Sequence, residues 1–280
     1  MQKRQFFLVI SVTLLLLSLT VSMTARSVLS DDDDYVLVFS DEFNMPRGSQ
    51  PDAAKWVRPQ RNPSTWARWI SASKDVVYIK SGKLVCRAIP NRKETTDTAS
   101  MLTGAVETRG KFSFRYGKVE LRMKTNLKKG NFPAAWLKAE DRYSDVRYGE
   151  IDVMETFGSK STVQHTVHTH MTYTLKKKSK TPTFFRKDVD VRRWHVYGME
   201  WTPDSIVWTI DGEVTGIYHK SDDPQELSDG QWTFDYPFFL RLNQSLGDGS
   251  YDAFTPIMNQ VYETQFDWIR VYQRISDQKY

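Results

Sequence analysis

Between Gly149 and Glu155 the chain reads Gly-Glu-Ile-Asp-Val-Met-Glu, with Glu150, Asp152 and Glu155 set in an otherwise apolar stretch. In an extended strand successive side chains alternate, so Glu150 and Asp152 share one face and Ile151 and Val153 the other. Glu155 has the wrong parity for a regular strand. One extra residue around Val153-Met154, a β-bulge, restores it to the face of Glu150. Acids placed side by side repel one another, and a merely solvated strand avoids this by alternating charge. Calcium is a second use for clustered carboxylates, although a loop of Asn, Asp and Gly is its commoner setting. The third use is hydrolysis of a glycosidic bond. One carboxylate attacks or activates water, and its partner stays protonated to donate to the leaving oxygen. Crowding separates the two pKa values and so produces one ionised and one neutral partner.

The elements around this segment read as strands and turns. Tyr35–Phe39, Asp75–Ile79, Lys83–Val85, Lys111–Tyr116, Ser205–Ile210, Phe238–Leu242 and Phe266–Tyr272 are β-rich. Val119, Leu121 and Met123 alternate with Glu120, Arg122 and Lys124, which gives one buried and one wet face. Ser81-Gly82 and Asp211-Gly212 read as turns, the second closing a hairpin. No segment has a long helical period, and no internal repeat or composition break marks a second domain. Many short strands with frequent turns predict an all-β sandwich of two antiparallel sheets.

Composition narrows the function classes. The chain has 280 residues, 40% of them hydrophobic and 26% charged, enough for one large core. A single cysteine, Cys86, excludes a disulfide scaffold and a cysteine-ligated cluster. The aromatic share of 13% suits a sandwich with a stacking surface for flat ligands such as sugar rings. The net charge of +5 gives no Lys/Arg stripe for nucleic acid; the dense run Lys176–Lys178 with Lys180 reads as a solvated loop. Residues 1–25 carry the three-part pattern of a secretory signal: Gln2-Lys3-Arg4, an apolar run from Phe6 to Leu17, then small and polar residues. The run is short for a membrane span and no cysteine follows it for lipid attachment. The expectation is a secreted or periplasmic monomer with no membrane association after removal of the signal.

The Gly149–Glu155 string resembles the signature of glycoside hydrolase family 16, in the bulged form of its laminarinase-like branch. Five further blocks continue the likeness in order: Phe39–Asn44, Gly110–Glu120, Phe132–Leu137, Tyr197–Asp204 and Asp267–Tyr272. Together they cover residues 35–274. The resemblance implies a β-jelly-roll with a concave substrate cleft, and endo-hydrolysis of internal β-linkages with retention. By position it makes Glu150 the nucleophile, Asp152 its helper and Glu155 the general acid/base. It places Trp136 near the cleaved bond as a stacking platform, and His168 of Thr166-Val167-His168 against the acids or the substrate. Asn243 becomes a polar cleft residue. Trp66 and Trp69, after Asn62-Pro63-Ser64, lie in a loop at the rim, where at least one stacks on sugar.

The resemblance implies no cofactor for the chemistry. It does suggest a structural calcium held by Glu42, a backbone carbonyl near Gly82, and Asp267. Zinc on His165, His168 and His170 is disfavoured, because His165 has the opposite strand parity to the other two. The partner implied is an oligosaccharide or polysaccharide, with β-1,3- or mixed β-1,3/1,4-linked glucan as the branch default. Departures at Val163–Thr166 and Gln244–Tyr251, and the basic loop Tyr173–Phe185, keep galactose-containing chains such as mucin-type O-glycans or galactans in contention. A transglycosylase using the same covalent intermediate is a variant of this reading. A non-catalytic carbohydrate-binding module is the rival from another class, and binding alone gains little from the acid trio.

Overall fold

The computed structural model describes residues 34–92, 96–144 and 147–279; the signal predicted over residues 1–25 lies outside them. In chain order the strands are β1 (Tyr35–Asp41), β2 (Val77–Ile79), β3 (Leu84–Pro90), β4 (Met101–Glu107), β5 (Gly117–Thr125), β6 (Asn131–Ala139), β7 (Gly149–Glu155), β8 (Thr162–Thr169), β9 (Phe184–Asp188), β10 (His195–Trp201), β11 (Ser205–Ile210), β12 (Glu213–His219), β13 (Phe238–Leu246) and β14 (Tyr262–Arg274). Their ladders are antiparallel. The spatial order is β12-β11-β10-β5-β14-β3-β4-β13-β6-β7-β8-β9, with β1 added on β14 and β2 on β3. The β3–β4 pairing is the seam where the sheet turns over on itself.

Alternation explains why it folds this way. β5 buries every second residue, and Val119, Leu121 and Met123 enter the same core as Leu240 and Leu242 of β13, Leu137 of β6 and Ile151 of β7. One apolar layer thus lies between an outer layer (β12 to β3) and an inner layer (β4 to β9), the jelly-roll-like sandwich the patterning predicts. The β11–β12 hairpin turns at Asp211 and Gly212, whose φ values of 52° and 85° need the left-handed region that Asp tolerates and Gly favours.

One predicted strand is not a strand. Lys111–Tyr116 makes a single bridge, Phe114 to Phe238. The chain instead turns there, with the Thr108 carbonyl accepting from the amides of both Lys111 and Phe112. Its alternating aromatics serve another purpose: Phe112 stacks between Phe39 and Phe114.

Candidate active site

The bulge expected in β7 is present. Against β6, Ala135 pairs with Met154 and Trp136 with Asp152, so Val153 is the extra residue. The acids therefore face away from the core, into which Ile151, Val153 and Met154 all point. Register places them in three cross-strand rows on the open face of the inner layer. One row runs Phe239, Lys138, Glu150, His168. The next runs Glu107, Arg241, Trp136, Asp152, Thr166, Phe184. The third runs Asn243, Ala134, Glu155, Gln164, Arg186.

The acids sit in different surroundings. The Tyr148 hydroxyl donates to Oε2 of Glu150 at 2.7 Å. His168 Nε2 lies 3.5 Å from Glu150 and 3.4 Å from Asp152. Burial works against the His168 charge, but the hydrogen bond and charge of Asp152, with that of Glu150, hold its pKa up at about 9. Asp152 is 2% exposed. Burial and the neighbouring Glu150 push its pKa up to about 6, with His168 opposing. Glu155 is raised well above the ordinary range by burial and by the charges of Asp152 and Glu150. The Thr166 hydroxyl, 3.4 Å from Glu155 Oε2, pulls the other way. The face therefore presents a carboxyl kept protonated at the bulge and a second carboxylate anchored two strand positions before Asp152.

Glu150, Asp152 and His168 offer ligand atoms that all lie within 4.8 Å of one another, close enough to hold a cation. With its pKa held up at about 9, His168 is the cation among the two acids. The cluster is an ion-paired trio.

On the β13 side the charged groups are matched within the protein. Arg241 and Glu107 form a buried pair at 2.6 Å, and Arg109 holds the second oxygen of Glu107 at 3.0 Å. The Arg241 guanidinium also lies 4.6 Å from the ring centres of both Trp66 and Trp136. Trp66 packs edge-on to Trp136 at 5.0 Å. Trp136 lies beside Asp152 and is 5% exposed. Asn243 lies in the row of Glu155. It is fully buried, accepting from the Trp136 indole N–H at 2.8 Å and donating to Ser245 Oγ at 2.9 Å. On the acids' own face it is a covered clamp that holds Trp136. Trp69 belongs to another cluster, packed near Ala88, Met101, Leu246 and Tyr262 with Arg68 3.9 Å over its ring.

The calcium set does not fit its donors. Arg270 takes both oxygens of Glu42, at 2.8 and 3.0 Å. Asp267 is held by Lys83 at 3.1 Å and by Arg122. Gly82 lies at Asn44, whose Oδ1 is 3.4 Å from where a Cβ would stand. Both carboxylates are neutralised by cations before any ion arrives. The three histidines separate as their parity requires. His165 is in the core, its Nδ1 2.6 Å from the Val153 carbonyl and its Nε2 2.8 Å from Thr215 of β12. Burial pushes its pKa down to about 4, so the ring is neutral, with Nδ1 donating to the carbonyl and Nε2 accepting from the hydroxyl.

Several site residues were not singled out by sequence reasoning. Lys138 shares the face of Trp136, and its Nζ lies 3.1 Å from the centre of the Tyr148 ring. Burial pushes its pKa down to about 8, against the charge of Glu150. Tyr148 in turn stacks on Tyr173 at 3.9 Å. The signal was a lysine in phase with Trp136 on an otherwise apolar strand. The chain Arg186–Gln164–Thr166–Glu155 was also missed; its hydrogen bonds span 2.8, 3.0 and 3.4 Å. A cavity of about 370 Å³ beside β3 and β4, lined by Asp75, Arg87 and Asn91 among others, touches none of the acids.

Fold and site together define a jelly-roll-like sandwich with a carboxylate-centred open face flanked by aromatic and basic side chains. The chain belongs to the glycosyl hydrolases of family 16, whose model matches residues 66–269. It is 31% identical, over 86% of its length, to a keratan-sulfate endo-1,4-beta-galactosidase of Sphingobacterium multivorum. It is 29% identical, over 85% of its length, to glucan endo-1,3-beta-glucosidase A1 of Niallia circulans. It spans 56% of the first relative and 38% of the second. Among solved structures, SCLam, a non-specific endo-beta-1,3(4)-glucanase, superposes with a TM-score of 0.73 at 26% identity, covering 88% of this chain and 94% of that one.

Proposed function

We propose that the chain is an endo-acting glycoside hydrolase that cleaves internal β-linkages with retention of configuration. The observation that carries this is the Val153 bulge, which brings Glu155 onto the face of Glu150 and Asp152 while burial keeps its carboxyl protonated. In this reading an oxygen of Glu150 attacks the anomeric carbon as Glu155 gives its proton to the departing glycosidic oxygen. Glu155, now a carboxylate, takes a proton from the water that hydrolyses the glycosyl ester. Asp152 and His168 steady Glu150 from one side and Tyr148 from the other. Trp66 offers the edge of a sugar-stacking wall.

The first substrate reading is β-1,3- or mixed-linked glucan, which the glucanase relatives support. The second is a galactose-containing chain, supported by the keratan-sulfate galactosidase relative. Action outside the cytoplasm rests on the Phe6–Leu17 run behind Lys3 and Arg4. The test is product analysis against laminarin, barley mixed-linkage glucan, agar-type galactan and mucin O-glycans, with the anomer of the first product read by NMR. The expected result is a ladder of oligosaccharides of retained configuration from one class, lost in Glu150→Gln. Turnover that survives Glu150→Gln, or inverted product, would overturn the reading.

A further inference from the structure

Beyond Glu155 the third row continues through Gln164 of β8 to Arg186 of β9. There a cavity of about 330 Å³ is lined by Phe157, Lys160, Thr162, Gln164, Arg186 and Tyr251. It lies at the small end of the usual size range for ligand sites. Its two cations are free of acids. The Arg186 Nε donates to Gln164 at 2.8 Å, and neither Arg186 nor Lys160 forms an ion pair among the described residues. No carboxylate lines the cavity.

The contrast with the basic loop is informative. Lys177 and Lys180 of that loop are matched by Asp229 at 2.7 Å and Asp223 at 2.5 Å, and Lys176 lies over the Tyr173 ring. Most of the loop's charge is therefore internally satisfied, whereas the cavity's is not.

The aromatic wall is built of rings in mutual contact. Phe157 stacks on Phe132 and meets Phe254 edge-on, and Tyr251 stacks on Phe254 at 5.3 Å. This wall is possible because residue 158 is glycine. A Cβ there would stand 2.0 Å from the Ala253 carbonyl, so only glycine lets the 251–254 segment close down on the end of β7. Arg186 stands two strands from Glu155, about 10 Å at ordinary strand spacing, one to two sugar units from the cleaved bond.

We propose that this cavity is a subsite for an anionic substituent, a sulfate ester or a carboxylate, on a sugar one or two units beyond the cleaved bond on the Glu155 side. The sugar face rests on Phe157 and Tyr251, and Arg186 and Lys160 take the charge. The Arg186–Gln164–Thr166 chain ties that recognition to the carboxyl of Glu155. The assignment rests on the hydrolase reading for its place in the cleft, but not for the binding it asserts.

The test is calorimetric titration of the full chain carrying Glu150→Gln, at physiological salt. The probes are laminarin, sulfated laminarin and carboxymethylated laminarin, with keratan sulfate and its chemically desulfated form as a galactose-based pair. The expected result is that an anionic member binds about tenfold more tightly than its neutral counterpart, the size of one exposed charge-assisted hydrogen bond. That ratio should fall to about one when Arg186→Ala and Lys160→Ala are added, and persist when Lys178→Ala is added instead. Preference for the sulfated or for the carboxymethylated polymer tells which anion fits. A ratio near one in the parent, survival of the ratio in the double variant, or an equal fall with Lys178→Ala overturns the proposal. Circular dichroism shows that each variant is folded. If Glu150 is restored and bound polymers are still not cleaved, the hydrolase reading fails while the subsite stands.

Discussion

On the β13 side of the acids, Arg241 is buried against Glu107 and lies over two edge-on indoles, one of which Asn243 holds by its N–H. On the β9 side, two strands away from the same acids, Arg186 spends one N–H on Gln164 and meets no carboxylate. The two flanks use the same residue type for opposite ends. A guanidinium with every neighbour matched is part of the scaffold, and it fixes Trp136 next to Asp152. A guanidinium left without a counter-charge on an open cavity is available to something from outside. Charge on the surface is thus uninformative until its partners are known.

This contrast can be broken at either end. The largest effect is expected from Glu107→Gln, which strands the buried Arg241 charge and should cost about 3–5 kcal/mol in denaturant unfolding. A loss below 1 kcal/mol would mean that Arg241 is not held as described. Behind the face, His165 has a folded pKa near 4 against an ordinary 6.5. The folded state therefore binds fewer protons across that window, and stability present above 6.5 is lost as pH falls towards 4, by on the order of 3 kcal/mol. His165→Asn should flatten this fall, and parallel curves for the two proteins would refute it. Asn243→Ala leaves the Trp136 indole N–H without its acceptor, while Ser245 keeps the Trp66 carbonyl, and should cost about 1–3 kcal/mol and lower kcat/KM. At the boundary between the flanks, Thr166→Val removes a hydrogen bond that favours ionised Glu155. The acid then keeps its proton to higher pH, so the alkaline limb of kcat/KM should move up, and an unmoved or lowered limb would exclude Glu155 as the acid. The smallest effect on stability belongs to Arg186→Ala, within about 0.5 kcal/mol, as for a surface group bound to nothing buried.

Much of the fold was legible because alternation is local. The β5 stripe, the Asp211-Gly212 hairpin and the extra residue in β7 all follow from counting side chains by parity. The same counting separated His165 from His168, whose pKa values the fold drives to about 4 and about 9. Local patterning failed where partners come from far along the chain. Glu42 resembled a metal ligand until Arg270, 228 positions away, filled both its oxygens. Asn243 gave no sign that Trp136 and Ser245 close around it. Lys138 went unnoticed because nothing next to it in sequence announces the Tyr148 ring that covers it. Lys111–Tyr116 alternates as a strand does, yet a turn at Thr108 claims its amides.

His165 joins the carbonyl of the bulged residue Val153 to Thr215 in the opposite layer. The aim of Glu155 is therefore set through the thickness of the sandwich. That imidazole is a strut between the two layers, bearing at one end on the peptide that points the acid. The outer hairpin, through Thr215, thus shares a hydrogen-bonded chain with the bulge that sets Glu155.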